Sequence, residues 1–489
     1  MNYNQLKSGT DIRGIASDKG GKAVNLTDQA VYDITSAFAE WLKAKENKQS
    51  LKIAVGHDSR ISADRISAAV KKALSSAGVH IIDCGLASTP AMFMTTVDLS
   101  TDGAIQITAS HHPFDRNGLK FFTRTGGLES SQLTEIVELA NEGNFKKSEG
   151  SVTETVNYMS TYAANLRKMI CAAVGKSEQE KPLNNYHIVV DAGNGVGGFY
   201  ATEVLMPLGA DISGSRFLEP DGMFPNHIPN PEDKTAMKSI TDAVKENHAD
   251  FGVIFDTDVD RAGCVDSTGE EINRNRLIAL ASVIATNGRK NATIVTDSVT
   301  SDGLKEFIEK DLGCHHYRYR RGYKNVIDKA IELCAQGFDC PLAIETSGHA
   351  ALKENYFLDD GAYLITKIII ELGKGRDLNK TLSSLKCPKE ERECRFNITI
   401  PDFKNYGLSV IDSLNTFCLS NPEVYTVADD NREGIRVSTK HGWFLLRLSV
   451  HDPVMPLNFE SDNIGGIDEM VALIKPFFQK FEHLDISAL

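Results

Sequence analysis

Thr108-Ala109-Ser110-His111-His112-Pro113 places one hydroxyl among small residues and beside two imidazoles, and Asn117-Gly118-Leu119-Lys120 lies just behind it. An apolar run, Gly103-Ala104-Ile105-Gln106-Ile107, leads in and predicts a short buried strand. A proline then stops regular structure. Ser110 is therefore expected to sit exposed on a tight loop at a strand end, where an open α/β sheet places its chemistry. Lys120 is close enough in sequence to fold back over that loop. Three readings of Ser110 stand open: a polar turn, a hydrolase nucleophile served by His111 or His112, and a phosphoserine. No G-x-S-x-G elbow accompanies the serine, and a sequence-adjacent histidine rarely has the geometry of a catalytic base. The phosphoserine reading demands a metal site and anion-binding groups elsewhere in the chain.

Such groups occur. Phe251-Gly252-Val253-Ile254-Phe255 is an apolar strand that runs into Asp256-Thr257-Asp258-Val259-Asp260-Arg261. In extended backbone, carboxylates at alternate positions point the same way. Three of them repel unless a cation lies between, and oxygen ligands suit Mg²⁺. An EF-hand would need Gly after the third Asp and Glu at loop position twelve, where this chain has Arg261 and Ser267. Arg318-Tyr319-Arg320-Arg321-Gly322-Tyr323-Lys324 sets a glycine among cations, which suits a phosphate-binding turn or a solvated face. Glu345, Ser347 and His349 alternate after another apolar strand, and a carboxylate can accept two hydroxyl protons from a polyol. Arg447, Ser449 and His451 form a candidate anion pocket at a strand end. Near the N-terminus, Gly9 and Gly14 bracket Asp11 and Arg13.

The elements that must position these residues repeat one rhythm. Strand, polar loop, helix, glycine stop and strand run from Lys52 to Ile82, from His187 to Ile212 and from Thr293 to His316. Each reads as a βαβ crossover. Three such units predict three α/β domains. Asn144 to Thr155 reads as a linker and the charge run Lys386 to Glu393 as a boundary. Beyond it, Cys394 to Ile400 and Gly442 to Val450 alternate like antiparallel strands, and Asp468 to Phe481 reads as a closing helix. The expected fold class is α/β, with three similar mixed α/β domains plus a C-terminal α+β domain around a central active-site cleft. The expected boundaries are 1–155, 156–272, 273–388 and 389–489. A chain of 489 residues is too long for one core. A net charge of -13 argues against general nucleic-acid binding but not against a small anionic substrate held by a local arginine cluster. The nine cysteines are scattered without C-x-x-C, a pattern of free thiols in a reducing compartment. The N-terminus has no apolar signal region and no run approaches transmembrane length, so a cytoplasmic protein without membrane contact is expected.

Taken together the stretches resemble the α-D-phosphohexomutase family, the phosphoglucomutase/phosphomannomutase enzymes. The resemblance spans nearly the whole chain, with four signatures in family order. Asp58-Ser59-Arg60 and Pro220-Asp221-Gly222 with Pro229-Asn230-Pro231 also look like the family. It departs at Thr257, where the family usually has Gly. It departs again in the fourth signature, R-P-S-G-T-E-P in the family, where Leu448, Val450, His451 and Asp452 replace Pro, Gly, Thr and Glu. The resemblance implies a reversible 1,6-phosphoryl shift on glucose or mannose phosphates. A phosphoserine at Ser110 and a hexose 1,6-bisphosphate intermediate would carry it. It implies Mg²⁺ on Ser110, Asp256, Asp258 and Asp260, with Arg13, His111 and Lys120 beside the serine. Arg261, Gly322, Lys324, Glu345, Ser347, His349, Arg447, Ser449 and His451 would bind the substrate. The partner would be a small sugar phosphate, and the protein a monomer or dimer. A catalytically silent sugar-phosphate binder and a metal-dependent sugar phosphatase on the same scaffold are the rival expectations.

Overall fold

The computed structural model describes residues 2–148, 150–449 and 452–489. It forms two compact units, Met1–Leu277 with Ser347–Lys380, and Ile278–Thr346 with Thr381–Leu489.

In the first unit a mixed sheet runs in the order Asp11–Ile15, Arg116–Thr123, Gly103–Ile107, Lys52–His57, His80–Leu86 and Thr153–Thr155. The last four are parallel, whereas Arg116–Thr123 is antiparallel to both its neighbours. Alternation along Lys52–His57 sends Ile53 and Val55 into a core shared with the helices Asp28–Glu46, Ala63–Ser76 and Ser130–Glu142. The same alternation turns Gly56 to the opposite face, where Met92 of the helix Thr89–Asp98 lies so close that a Cβ would meet its sulfur at 2.5 Å. With both faces covered, all five residues of Gly103–Ile107 are buried. That is why this strand reads as an apolar run, broken only by Gln106, whose amide donates to the Ala87 carbonyl at 2.7 Å. The polar stretch expected as a linker ends in Thr153–Thr155, which adds an edge strand beside His80–Leu86.

A second sheet carries Ile188–Asp191 and Phe251–Phe255 in parallel, then Ala262–Asp266 and Glu271–Ile272 antiparallel. The second crossover departs from the expected rhythm. No strand forms over Leu208–Ile212; Asp211 makes an isolated bridge to His187, and Arg216, just beyond the segment, makes another to Asp191. The Asp211 carboxylate accepts the Ser213 N–H and bends the chain away after one residue. The hairpin Ala350–Leu352 with Leu358–Asp359 and the helix Gly361–Gly373 complete this unit.

In the second unit Thr293–Asp297 lies between Leu342–Ile344 and His315–Tyr319, all parallel. Glu390–Ile398, Ile435–Thr439, Gly442–Leu446 and Val454–Ser461 form an antiparallel sheet under the helices Phe403–Leu419 and Gly466–Phe478. This is the α+β build expected for the last hundred or so residues. Arg436 joins the two sheets. Its guanidinium stacks on Trp443 at 3.4 Å, donates to Asp302 at 2.9 Å and reaches the carbonyls of Ser298 and Thr300.

One glycine fixes how closely the serine-bearing strands approach. Gly118 pairs with Arg13, and a Cβ there would lie 2.1 Å from the Ile12 carbonyl oxygen and 2.8 Å from that of Thr108. Gly118→Ala must push backbone apart, so it is expected to cost at least about 1–3 kcal/mol. A fall in the thermal unfolding midpoint checks this. An unchanged midpoint would show that the strands separate there without penalty.

Candidate active site

The serine loop is held from beneath by one buried ion pair. Thr108 N–H donates to the Gly118 carbonyl, which ends the strand ladder, and Thr108 Oγ1 donates to Asp58 Oδ2 at 2.7 Å. The other Asp58 oxygen takes the Arg60 backbone N–H at 2.9 Å, and Arg60 Nε donates to Asp58 Oδ2 at 3.1 Å. The four remaining guanidinium N–H groups go to backbone carbonyls of the loop: Ser110, His112 at 2.6 Å, Pro113 at 2.6 Å and Arg116 at 3.1 Å. All five donors of Arg60 are thereby used. Burial pushes Asp58 up and Arg60 down, and each charge offsets the other's penalty. The Phe224 ring lies 5.2 Å from the guanidinium, and Gly222 bridges to Arg60. Gathered in this way, the loop bends at Ser110, whose φ is +51°. The expectation of an exposed serine is corrected here: Ser110 is 3% exposed, because the neighbouring acidic loop closes over it.

The acidic loop leaves the strand Phe251–Phe255 as a turn. The three carboxylates do converge, with ligand atoms within 4.8 Å of one another, and all are buried. They converge through that turn and not through the pleat of an extended strand. Val259 adopts φ +67°, an outlier for a β-branched residue. The Thr257 side chain is accommodated, its carbonyl accepting the Val196 N–H at 2.8 Å while its hydroxyl finds no partner.

Each carboxylate is engaged differently. Asp256 Oδ1 accepts the Arg261 N–H at 3.2 Å, and its Oδ2 lies 3.4 Å from Ser110 Oγ. Asp258 Oδ2 accepts from Thr89 Oγ1, and Asp260 Oδ2 accepts from Lys120 Nζ at 3.0 Å. Oδ1 of Asp258 and of Asp260 are buried with no hydrogen-bond partner. Burial and mutual repulsion hold Asp256 well above the carboxylate range and push Asp258 up to about 6. Burial acts on Asp260 too, but Lys120, His349 and Arg261 outweigh it and hold this group well below the usual range. Three oxygen donors of like charge with unpartnered buried oxygens fit a small, hard divalent cation.

Around this cluster the structure gathers most of the expected residues of the first unit. Arg261 Nη2 lies 3.4 Å from Ser110 Oγ and 2.6 Å from His111 Nδ1. His111 Nδ1 is also 3.2 Å from Ser110 Oγ. Burial, then Arg261, His112 and Arg13, push His111 down to about 2, so it is neutral and a poor base. Its Nδ1 faces the Arg261 donor, which puts the ring proton on Nε2. Arg13 pairs with Asp11 at 2.9 Å and donates to the Ala109 carbonyl at 3.3 Å. His349 Nδ1 bonds to Asp359 and lies 4.0 Å from Asp260 Oδ1. Burial works against the imidazolium, but Asp359 and Asp260 prevail and its pKa is raised. Ser347 is buried in the same unit.

The other expected residues lie in the second unit. Gly322 has φ +121°, heads the helix Tyr323–Ala335 and donates its N–H to Glu345 Oε1 at 2.6 Å. Lys324 pairs with Asp328. Arg447 is buried, donates to Asn458 Oδ1 at 3.3 Å and has Glu433 and Glu393 each at 3.9 Å. Burial lowers its pKa, and its Nε has no partner. Ser449 Oγ accepts the Asp452 N–H at 3.2 Å. His451 lies outside the described residues.

Family models for domains I, II and III of phosphoglucomutase/phosphomannomutase, each of the alpha/beta/alpha type, match residues 4–147, 160–269 and 273–387. A phosphoglucomutase of Neisseria gonorrhoeae is 30% identical over 482 residues, 97% of this chain and 96% of that protein. The chain belongs to the phosphoglucomutase/phosphomannomutase family. It is thus a mutase, an enzyme of the isomerase class. A phosphomannomutase/phosphoglucomutase of Pseudomonas aeruginosa is 29% identical over 96% of this chain and 93% of its own length. A crystal structure of a family protein from Burkholderia thailandensis superposes with a TM-score of 0.79 at 25% identity, covering 98% of this chain and 97% of that one. Among the described residues no helix is long and apolar enough to cross a membrane.

Two site residues were not singled out for these roles from the sequence. Asp58-Ser59-Arg60 stands out in the sequence only as family-like, and nothing local marks Arg60 as the brace of a loop fifty residues on. Thr89 carries the visible signal of a helix start, Ser88-Thr89-Pro90, but not of a bond to Asp258.

Repulsion in the cluster sets a testable balance. With its pKa raised from 3.8 to about 6, Asp258 binds its proton more tightly in the fold than in the unfolded chain. The metal-free fold should therefore lose stability as pH rises through that interval. Asp258→Asn keeps an acceptor for Thr89 and removes one charge. It is expected to raise the thermal midpoint in chelator above pH 6 and to flatten its pH dependence. A variant less stable than wild type in chelator would contradict the repulsion argument.

Proposed function

We propose that the protein interconverts hexose 1-phosphates and hexose 6-phosphates of glucose and mannose, through a phosphoserine at Ser110 and a hexose 1,6-bisphosphate. The observation that carries this reading is the place of Ser110 Oγ, 3.4 Å from a carboxylate oxygen of the acidic cluster and 3.4 Å from a guanidinium nitrogen. A phosphoryl group there would meet the guanidinium on one side and, on the other, a cation held by the carboxylates. Mg²⁺ held by Asp256, Asp258, Asp260 and the serine phosphate would offset charge on the transferring group. In the transfer, the bond from phosphorus to the Ser110 oxygen breaks as the bond to the sugar oxygen forms. Lys120, whose Nζ lies 3.0 Å from Asp260 Oδ2, exchanges protons between the sugar hydroxyl and the serine oxygen. The bisphosphate then turns over and returns its other phosphate to Ser110. Arg261 and Arg13 hold the phosphoryl oxygens, and neutral His111 orients the serine. Glu345, Ser347 and His349 read sugar hydroxyls, with Gly322 and Lys324 beside them. Arg447, Ser449 and His451 hold the non-reacting phosphate. Names of relatives that include both phosphomannomutase and phosphoglucomutase support the two sugars. The domain boundaries proposed are 1–155, 156–272, 273–388 and 389–489. All nine cysteines are free, which supports a reducing, cytoplasmic setting. The protein is proposed to act as a monomer or dimer.

Intact mass and peptide mapping are expected to find phosphate on Ser110, and Ser110→Ala to abolish isomer formation from glucose 1-phosphate. Phosphate release without isomer would point instead to a phosphatase, and neither product to a silent binder. Arg447→Ala is expected to raise KM while Ser110 can still be phosphorylated. Loss of a charged hydrogen bond of about 1.5–3 kcal/mol corresponds to roughly ten- to a hundredfold in kcat/KM. An unchanged KM would show that Arg447 does not hold phosphate.

A further inference from the structure

Thr89 opens the helix Thr89–Asp98 in the serine-bearing part of the first unit, yet both its donor groups go to the acidic loop. Its N–H donates to the Asp258 carbonyl at 2.9 Å, and its hydroxyl donates to Asp258 Oδ2. Thr89 and Asp258 are both buried. Ser88 Oγ caps the helix by accepting the Ala91 N–H at 3.3 Å, so Thr89 is not needed as the cap. The hydroxyl therefore has one recipient, a single oxygen of one carboxylate. Lys120 does the same on Asp260, taking Oδ2 at 3.0 Å. In both residues the other oxygen, Oδ1, is buried and accepts no hydrogen bond, with His349 Nδ1 4.0 Å from that of Asp260. One oxygen of each carboxylate is capped and one is kept open.

We propose that Thr89 is a positioning residue for the cation site: by capping Asp258 Oδ2 it aims Oδ1 alone at the ion, makes this ligand monodentate, and so favours Mg²⁺ over Ca²⁺. The physical basis is the difference between the two ions. Mg²⁺ demands near-ideal octahedral geometry and takes one oxygen from each carboxylate, whereas Ca²⁺ accepts six to eight oxygens and readily takes a carboxylate through both. A donor fixed on one oxygen costs Mg²⁺ nothing and denies Ca²⁺ a ligand atom. Groups that orient ligands from behind in this way typically change metal affinity ten- to a hundredfold when removed.

The inference rests on reading the three aspartates as a metal site, and titration calorimetry of the full chain with Mg²⁺ and with Ca²⁺ separates the two claims. Wild type is expected to bind Mg²⁺ more tightly than Ca²⁺. Thr89→Ser keeps the hydroxyl and should stay within about threefold of wild type for both ions. Thr89→Val keeps the shape, loses the donor, and should bind Mg²⁺ about ten- to a hundredfold more weakly while losing less for Ca²⁺, so that the preference narrows. If Thr89→Val does not reach a wild-type circular dichroism spectrum, Thr89→Ala serves on the same readout. Absence of Mg²⁺ binding in wild type would overturn the metal reading itself. A donorless variant with wild-type affinity and an unchanged Mg²⁺/Ca²⁺ ratio would leave the metal site standing and overturn the role of Thr89.

Discussion

Three carboxylates buried within 4.8 Å of one another set the terms for the first unit. Two unit charges about 4 Å apart interact by about 4 kcal/mol at an effective dielectric of about 20. Apolar packing cannot remove that repulsion. It has to be met by groups brought to the loop, and they come from other parts of the chain. Lys120 comes from the central strands of the serine-bearing sheet and Thr89 from a helix on its face, while Arg261 follows the loop directly. The polar needs of one sheet's loop therefore fix where the other sheet docks. One of them, Arg261, also reaches Ser110 Oγ at 3.4 Å.

A second buried charge solves a different problem. A loop that turns sharply leaves its carbonyls without ladder partners, and buried carbonyls must find donors. Arg60 supplies four N–H groups to four of them and keeps the fifth for Asp58. A lysine there could not match this fork, since its three donors diverge from a point. The brace explains why the loop can hold a left-handed serine with no glycine at that position.

Much of this was legible in the sequence where a signal is local. The buried strands Gly103–Ile107 and Phe251–Phe255 announce themselves as apolar runs, and the reactive residues stand directly after them. The closing helix and the antiparallel character of the last sheet follow from periodicity. Ser110 is buried where its loop alone predicts exposure, because burial depends on what another loop places over it. The alignment of the aspartates was assigned to a strand pleat although a turn with Val259 in an unusual conformation produces it. The strand anticipated at Leu208–Ile212 shrank to an isolated bridge because a side chain bends the backbone there. Arg60 and Thr89 act across fifty and more residues, and single-sequence patterns carry no such range.

The way Arg60 grips its loop also decides what can modify Ser110. An enzyme that modifies another protein needs its target residue on a segment it can draw out of the fold. Drawing out this segment would break four bonds to one buried guanidinium, leave those donors without acceptors and expose the acidic cluster, which amounts to local unfolding of the site. A donor must instead be small enough to enter and reach the hydroxyl where it lies. On the proposed function, phosphorylation of Ser110 would then follow the supply of small phosphorylated molecules and not the action of an enzyme that must draw the loop out of the fold.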